Sequence, residues 1–407
     1  MTERRLSICM VTTFFPPTSF GGDGIHVYRL SNELARRGHE VTVVHSPDAY
    51  RLFASEPAAG AFPTEPGVTV RPLASRAGRV APMATYLTGR PALTAGALRK
   101  VLQEGFDVVH FHNVSLVGGP GVLRYGDGVR LYTANEHWLV CPMHVLWKNN
   151  REPCERPQCL RCTLAFHRPP QLWRYTGLLE RAADQVDLFL SPSRFTIEAH
   201  RARGFTRPMR HLPHFLPVRE TALAGDVPAT ERPYFLYVGR LEPIKGVDWL
   251  LERFRSYDAA DLVIAGDGEQ EDELRRRSAG LRHVRFLGRV HPAELPALYA
   301  GALGLIVPSR GYEVFGLVLL EAFAQGTPVV VHDLGALPEL VAESGGGITY
   351  RTEQELVEAL ERLRLDPALR HDLGASGRAA WLERWSEDPH ISAYLAAVDE
   401  ARELSSR

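Results

Sequence analysis

Two cations, Arg240 and Lys245, follow the apolar run Tyr234 to Val238 and precede a helical pattern that starts near Val247. A guanidinium presents a planar fork of donors and an ammonium a compact charge, so the pair on one strand-to-helix loop suits a diphosphate. Glu313 and Glu321 stand eight residues apart around the start of another helix. A carboxylate accepts two hydroxyl hydrogen bonds at once, which fits a sugar ring or a ribose diol. Between them, the main-chain amides of Phe315, Gly316 and Leu317 fall at a helix N-terminus, where a phosphate is favoured. Gly21-Gly22-Asp23-Gly24 before the first helix, and Gly266-Asp267-Gly268 and Gly288 later, let the backbone approach a ligand. Gly22 and Gly268 are the candidates among them. The first loop lacks G-x-G-x-x-G spacing, which argues against a dinucleotide.

Four of the five cysteines, Cys141, Cys154, Cys159 and Cys162, are spaced C-x12-C-x4-C-x2-C in a stretch rich in Pro and Arg. Four thiolates suit a tetrahedral structural zinc, and the final C-x2-C is a usual half-site. An iron–sulfur cluster also takes four cysteines, and free or disulfide-prone thiols are the third reading. Cys9, inside an apolar run, reads as core. No D-x-D element is present to hold a divalent ion on a diphosphate.

These groups need a scaffold. A chain of 407 residues predicts two domains, and 45% hydrophobic with 23% charged residues fits globular cores. A net charge of −1 gives no global field for nucleic acid or an acidic surface. No run reaches the ~20 apolar residues of a membrane-spanning helix, and the N-terminal run is too short for a signal segment. The expected location is cytoplasmic, with at most peripheral membrane contact and no nucleic-acid partner.

Apolar runs alternate with helical patterns as parallel β-α units do. Strands are expected at residues 6–11, 41–44, 108–111, 129–132, 187–190 and 209–212, and then at 234–238, 261–265, 284–287, 304–307 and 328–331. This predicts a first domain over residues 1–221 with the cysteine insert at 141–162, a linker at 222–233, a second domain over 234–385 and a terminal helix at 386–407 that packs back on the first domain. Tyr50 to Gly89, rich in Ala, Gly and Pro, reads as a long loop. The fold class is α/β, two doubly wound Rossmann-like domains facing across a cleft, because open parallel sheets bind ligands at the carboxyl ends of their strands.

The order of these pieces resembles the retaining glycosyltransferases of family four, which have the GT-B fold. The residues that carry the likeness are Gly21-Gly22, Val238-Gly239-Arg240-Leu241 with Lys245-Gly246, Ala265 to Gly268, Phe286-Leu287-Gly288, the E-x7-E element Glu313 to Glu321, and Gly326 to Val330. The resemblance implies transfer of a sugar from a nucleotide diphosphate sugar to an acceptor hydroxyl on a glycan, a lipid-linked molecule or a small molecule. It implies retention without a catalytic metal, with Arg240 and Lys245 on the diphosphate, Glu313 by the donor sugar and Glu321 by the ribose. The family also carries a first-domain histidine in a T-x-H-[DE] context, and here Thr133-Ala134-Asn135-Glu136 puts Asn135 at that position. Either His137 takes the role or Asn135 supplies the sugar contact. An epimerase or phosphorylase on the same architecture, or an inactive binding protein, are the rival readings.

Overall fold

The computed structural model describes residues 5–54, 60–222 and 232–406. The chain divides into two units: residues 1–144, 159–213 and 390–407 form the first, and 145–158 with 214–389 the second.

In the first unit the strands are β1 (Ser7–Val11), β2 (Glu40–His45), β3 (Val68–Pro72), β4 (Val108–Phe111) and β5 (Val129–Thr133). A two-stranded ribbon, β6 (Trp147–Lys148) with β7 (Glu152–Pro153), comes next in the chain but belongs to the second unit. The strands β8 (Leu188–Ser191) and β9 (Met209–His211) complete a seven-stranded sheet in the order β3-β2-β1-β4-β5-β8-β9, with parallel neighbours. Ile8 to Val11 and Val108 to Phe111 are buried, so central strands read as unbroken apolar runs rather than alternating ones. Helix Gly22–Arg36 turns Val27, Leu30 and Leu34 inward, at the spacing of one helical face. Phe111, Tyr132, Trp138, Leu178 and Phe189 fill the core beneath the sheet.

The second unit holds β10 (Tyr234–Val238), β11 (Asp261–Ala265), β12 (Val284–Gly288), β13 (Gly304–Val307), β14 (Val329–His332) and β15 (Gly347–Tyr350). Their order is β12-β11-β10-β13-β14-β15, again with parallel neighbours. Phe235, Leu250, Ile264, Ile306 and Leu360 belong to its core.

Three differences from the sequence reading have local causes. The expected loop at residues 50–89 contains β3, paired with β2 from Val41↔Val68 onward, and helix Val80–Thr88, closed by Gly89 at φ 66°. Strand pairing by Val68-Thr69-Val70 outweighs the Gly and Pro around them. The strand β15 hides behind Gly345-Gly346-Gly347, where a Cβ on Gly347 would stand 2.5 Å from the Val329 carbonyl oxygen. A glycine run there permits close strand approach rather than marking a turn. The linker expected at 222–233 falls mostly on residues 223–231, outside the described residues. Residues 214–221 belong to the second unit, whereas the terminal helix Glu387–Ser405 joins the first from His390 onward. His390 Nδ1 donates to the Pro213 carbonyl at 2.7 Å, and Arg210 pairs with Glu400 at 2.5 Å. Among the described residues no helix is long and apolar enough to cross a membrane.

Candidate active site

At the carboxyl ends of β10 and β13, two loops lock together before any ligand is considered. Gly246, at φ 74°, caps the 3-10 turn Pro243–Lys245, and a Cβ on it would stand 2.2 Å from the Pro308 carbonyl oxygen. The amides of Arg310 and Gly311 both donate to the Ile244 carbonyl, at 2.9 and 3.2 Å. Glycine at 246 is therefore a requirement of the turn and of the contact. The result is that Lys245 Nζ meets Glu313 Oε1 at 2.7 Å, and the Ser309 hydroxyl donates to the same oxygen at 2.6 Å.

Glu313 is held in its backbone as well. The Ala336 amide donates to the Glu313 carbonyl at 3.1 Å, and a Cβ on Gly335, at φ 69°, would lie 2.9 Å from the Glu313 amide nitrogen. Burial pushes the Glu313 carboxyl up, but the Lys245 charge and the hydrogen bonds from Lys245 and Ser309 outweigh it, with Arg240 adding in the same direction. The group sits below the ordinary carboxylate range and is ionised at neutral pH. It can accept hydroxyl hydrogen bonds and cannot serve as a proton donor there.

Arg240 faces the same charge, but its guanidinium also pairs with Glu242 and it is half-exposed. Tyr237 positions that loop by donating from its buried hydroxyl to the Arg240 carbonyl at 2.8 Å. Glu321, on helix Leu317–Ala324, accepts from the Tyr299 hydroxyl at 2.8 Å. Gly316 caps that helix at φ 126°, next to Leu317, and Phe315 is buried with its ring 5.3 Å from His214. Gly268 has a nearer use than a ligand: a Cβ there would stand 2.6 Å from the Leu241 amide nitrogen, and the Leu241 amide donates to Asp267 at 2.7 Å. Its missing side chain serves loop packing first. Ser309 and Tyr237 were missed by sequence reasoning; Ser309 alone left a signal, two residues beyond the end of β13.

The first unit gathers polar groups at the ends of β4 and β5. Asn135 Nδ2 lies 3.3 Å from His112 Nδ1, while Asn135 Oδ1 is buried and accepts no hydrogen bond. Asn113 Nδ2 donates to Asp23 at 3.1 Å. Gly22 is the first residue of helix Gly22–Arg36, yet the glycine that packing demands is Gly24, where a Cβ would meet Ser19 Oγ at 2.3 Å. His137 corrects an expectation. It is 0% exposed, with the rings of His200 and Phe195 5.5 and 6.2 Å away. The amides of Val140 and Cys141 donate to its carbonyl, a turn that accompanies an inward ring. Burial, then the charges of His200 and Arg203, hold it well below its ordinary value, so it is a neutral packing residue.

Of the cysteines, Cys141, Cys159 and Cys162 belong to the first unit and Cys154 to the second. Among the described residues no three His, Cys, Asp or Glu side chains gather as a metal would require, and no disulfide is formed. Burial pushes the Cys159 thiol up, against the pull of Arg174. Burial lowers Arg174 to about 10, and the nearby Cys141 and Cys159 oppose that shift. Cys141 and Cys159 thus lie close to the buried guanidinium of Arg174.

The two parallel-sheet domains have the GT-B fold, that of a class of nucleotide-sugar-dependent glycosyltransferases. Residues 20–220 match the model "Glycosyltransferase Family 4" and residues 219–380 the model "Glycosyl transferases group 1". The chain is 29% identical over 395 residues to the glycogen synthase of Mycobacterium tuberculosis, covering 89% of this chain and 87% of that one. In structure it is similar to sucrose-phosphate synthase from Thermosynechococcus elongatus, with TM-score 0.74, 20% identity, and 99% and 100% of the two chains covered. It is also similar to Anabaena HepE, solved in complex with UDP-glucose, at TM-score 0.66, 18% identity, and 99% and 100% coverage. The chain belongs to the family 4 glycosyltransferases and is an enzyme of that transferase class.

Proposed function

We propose that the protein transfers a sugar from a nucleoside diphosphate sugar to an acceptor hydroxyl with retention and without a catalytic divalent ion. The observation that carries this reading is the contact of Lys245 and Ser309 with an ionised Glu313 beside the helix headed by Gly316. Lys245 and Arg240 stabilise the leaving diphosphate, with the helix N-terminus adding its partial positive charge. Glu313 accepts from the sugar hydroxyls and Glu321 from the ribose. The bond from the anomeric carbon to the acceptor oxygen forms on the face from which the phosphate leaves, and a leaving phosphate oxygen takes the acceptor's proton. A Glu313 already committed to Lys245 is a poor double-displacement nucleophile, which supports this route over the glycosidase one.

The UDP-glucose in the HepE structure and the name of the mycobacterial relative, a glycogen synthase, favour a glucosyl donor, and the HepE ligand favours a uridine base. Incubation with UDP-, GDP-, ADP- and TDP-sugars, followed by release of nucleoside diphosphate and by the anomeric coupling of the product, tests the reading. Inverted product would discard the mechanism, and no turnover of any donor would discard the function. Asn135 is proposed to assist transfer in place of the family histidine. One structural zinc on Cys141, Cys154, Cys159 and Cys162 is a separate proposal, supported by spacing alone. Elemental analysis of protein purified reduced and without chelator is expected to give one zinc per chain; none would remove the proposal.

A further inference from the structure

Two stretches of the first unit carry no carboxylate. From Pro66 to Gln103 the chain has six Lys and Arg and no Asp or Glu, and from Cys159 to Leu179 three Arg and no Asp or Glu. They fold against each other. Trp173 Nε1 donates to the Tyr86 carbonyl at 2.8 Å, and the Tyr86 hydroxyl donates to the Pro169 carbonyl at 3.0 Å.

Around that junction, large apolar side chains face water. Met83 and Leu87 on helix Val80–Thr88 are 40% and 45% exposed, Leu160 and Leu164 on helix Cys159–Ala165 are 48% and 61%, and Leu172 and Tyr175 in the following 3-10 turn are 66% and 64%. Each helical pair is spaced i, i+4, so both members share one side of their helix. Exposed large apolar side chains concentrated on two packed stretches of chain are what an interaction site presents.

A cavity of about 380 Å³ adjoins it, lined by Arg90, Arg99, Arg124, Tyr125, Asp127 and Leu178 among others. Gly89 connects the two: its carbonyl accepts from the Gly121 amide at 2.9 Å, and a Cβ on it would meet Trp173 at 2.8 Å and Leu178 at 2.9 Å. Arginines elsewhere meet acids, as Arg37 meets Glu33 at 2.9 Å and Arg364 meets Glu361 at 2.7 Å. Arg90, Arg99 and Arg124 have no ion-pair partner among the described residues; Arg99 lies over the Tyr125 ring, 4.9 Å from its centroid. Three guanidiniums against the single carboxylate of Asp127 leave the cavity net positive.

We propose that this face of the first unit docks on an anionic phospholipid bilayer, with the apolar side chains entering the acyl boundary and the arginine cavity taking a lipid phosphate. Guanidiniums bind phosphate oxygens through paired donors, and the neighbouring apolar rim selects a phosphate that carries hydrocarbon. The inference does not depend on the sugar chemistry of the second unit.

The test is co-sedimentation of the full chain with vesicles of phosphatidylcholine alone or mixed with phosphatidylglycerol. Wild type is expected to bind only the mixed vesicles. The triple variant Arg90→Ala, Arg99→Ala, Arg124→Ala is expected to bind roughly a hundredfold more weakly. Leu87→Ser with Leu172→Ser should also weaken binding, although it leaves the charges intact. All five substituted positions are surface ones, and an unchanged thermal midpoint verifies that the variants fold. Equal binding to both vesicle types, or wild-type affinity in the triple variant, overturns the proposal. So does calorimetric binding of inorganic phosphate at the arginines with no binding to vesicles, which would make this a site for free phosphate.

Discussion

The carboxyl ends of the two sheets solve the problem of polar groups in different ways. In the second unit the groups are charged and paired, with Lys245 on Glu313 and Arg240 on Glu242. At the ends of β4 and β5 in the first, the contacts described above include no Lys or Arg on a carboxylate: Asn135 lies against His112, Asn113 donates to Asp23, and His137 is sealed in the core. Charges in fixed loops tell a donor diphosphate from water through long-range attraction, whereas neutral amides and rings act only at contact. On the function proposed above, donor affinity belongs to the second unit.

Removing Lys245 should break the comparison most visibly. Lys245→Ala deletes a charge-assisted donor, about 1.5–3 kcal/mol, and leaves the Glu313 carboxylate to repel the phosphates. The nucleoside diphosphate is expected to bind roughly ten- to a hundredfold more weakly by calorimetry. Glu313→Gln frees the ammonium and should keep that affinity or raise it, while transfer falls. In the Lys245→Ala background it should restore part of the lost affinity. Weaker nucleoside diphosphate binding by Glu313→Gln alone would mean that the carboxylate, not the cation, organises the donor.

Acid should separate the units in a second way. Burial lowers His110 to about 3, with His390 adding, and lowers His45 and His390 to about 4; all three belong to the first unit. The unfolded chain takes up protons near pH 6.5 and the folded one does not, so this stability is complete above about 6.5 and is lost as pH falls toward 4. By pH 5 the loss is on the order of 2 kcal/mol per histidine. Glu313 loses its contribution in the same direction but in a lower window: its folded value lies below 4.5, and the contribution goes only as pH falls through that lower value. Hydrogen exchange at pH 5 against pH 7 should show faster opening around β2 and β4 while the loop of Glu313 stays protected. Uniform opening of both units would refute the assignment.

The second unit was legible because its function rests on residue types with unambiguous chemistry at strand ends. Arg240, Lys245, Glu313 and Glu321 could be located at strand ends and helix starts, and five of its six strands were found to within a residue of each end. What hid were side chains whose role is to hold others. Nothing in the residue types of Ser309 or Tyr237 announces a contact that only the fold creates. Gly335 and Gly268 are both loop glycines, yet one braces the Glu313 backbone and the other packs on Leu241. In the first unit His137 looked functional because a histidine two residues from a motif position attracts attention, but chain direction at the Val140–Cys141 turn decides where a ring points. Gly335→Ala tests such bracing directly. At φ 69° and 2.9 Å from the Glu313 amide, it is expected to cost about 1–2 kcal/mol in thermal stability and to reduce transfer more than it reduces nucleoside diphosphate affinity.

The smallest expected effect belongs to Asn135. Its Nδ2 is committed to His112 at 3.3 Å, and its buried Oδ1 accepts from no protein group. An unfilled carbonyl acceptor costs stability unless something supplies a donor, and a hydroxyl of a bound reactant is the donor this enzyme class offers. Asn135→Ala therefore removes one neutral hydrogen bond to the reactant, worth about 1 kcal/mol, and relieves an unsatisfied atom in the free protein. Transfer, read as kcat/KM, should fall roughly fivefold, with nucleoside diphosphate affinity unchanged and thermal stability equal or slightly higher. Asn135→Asp retains an acceptor oxygen but places a carboxylate against His112, which raises the affinity of that ring for a proton. Its transfer rate should then change with pH in a way the wild type does not. An Asn135→Ala variant with full kcat/KM would make the amide a fold element like His137, and an equal loss in nucleoside diphosphate affinity would break the division of labour between the two sheets.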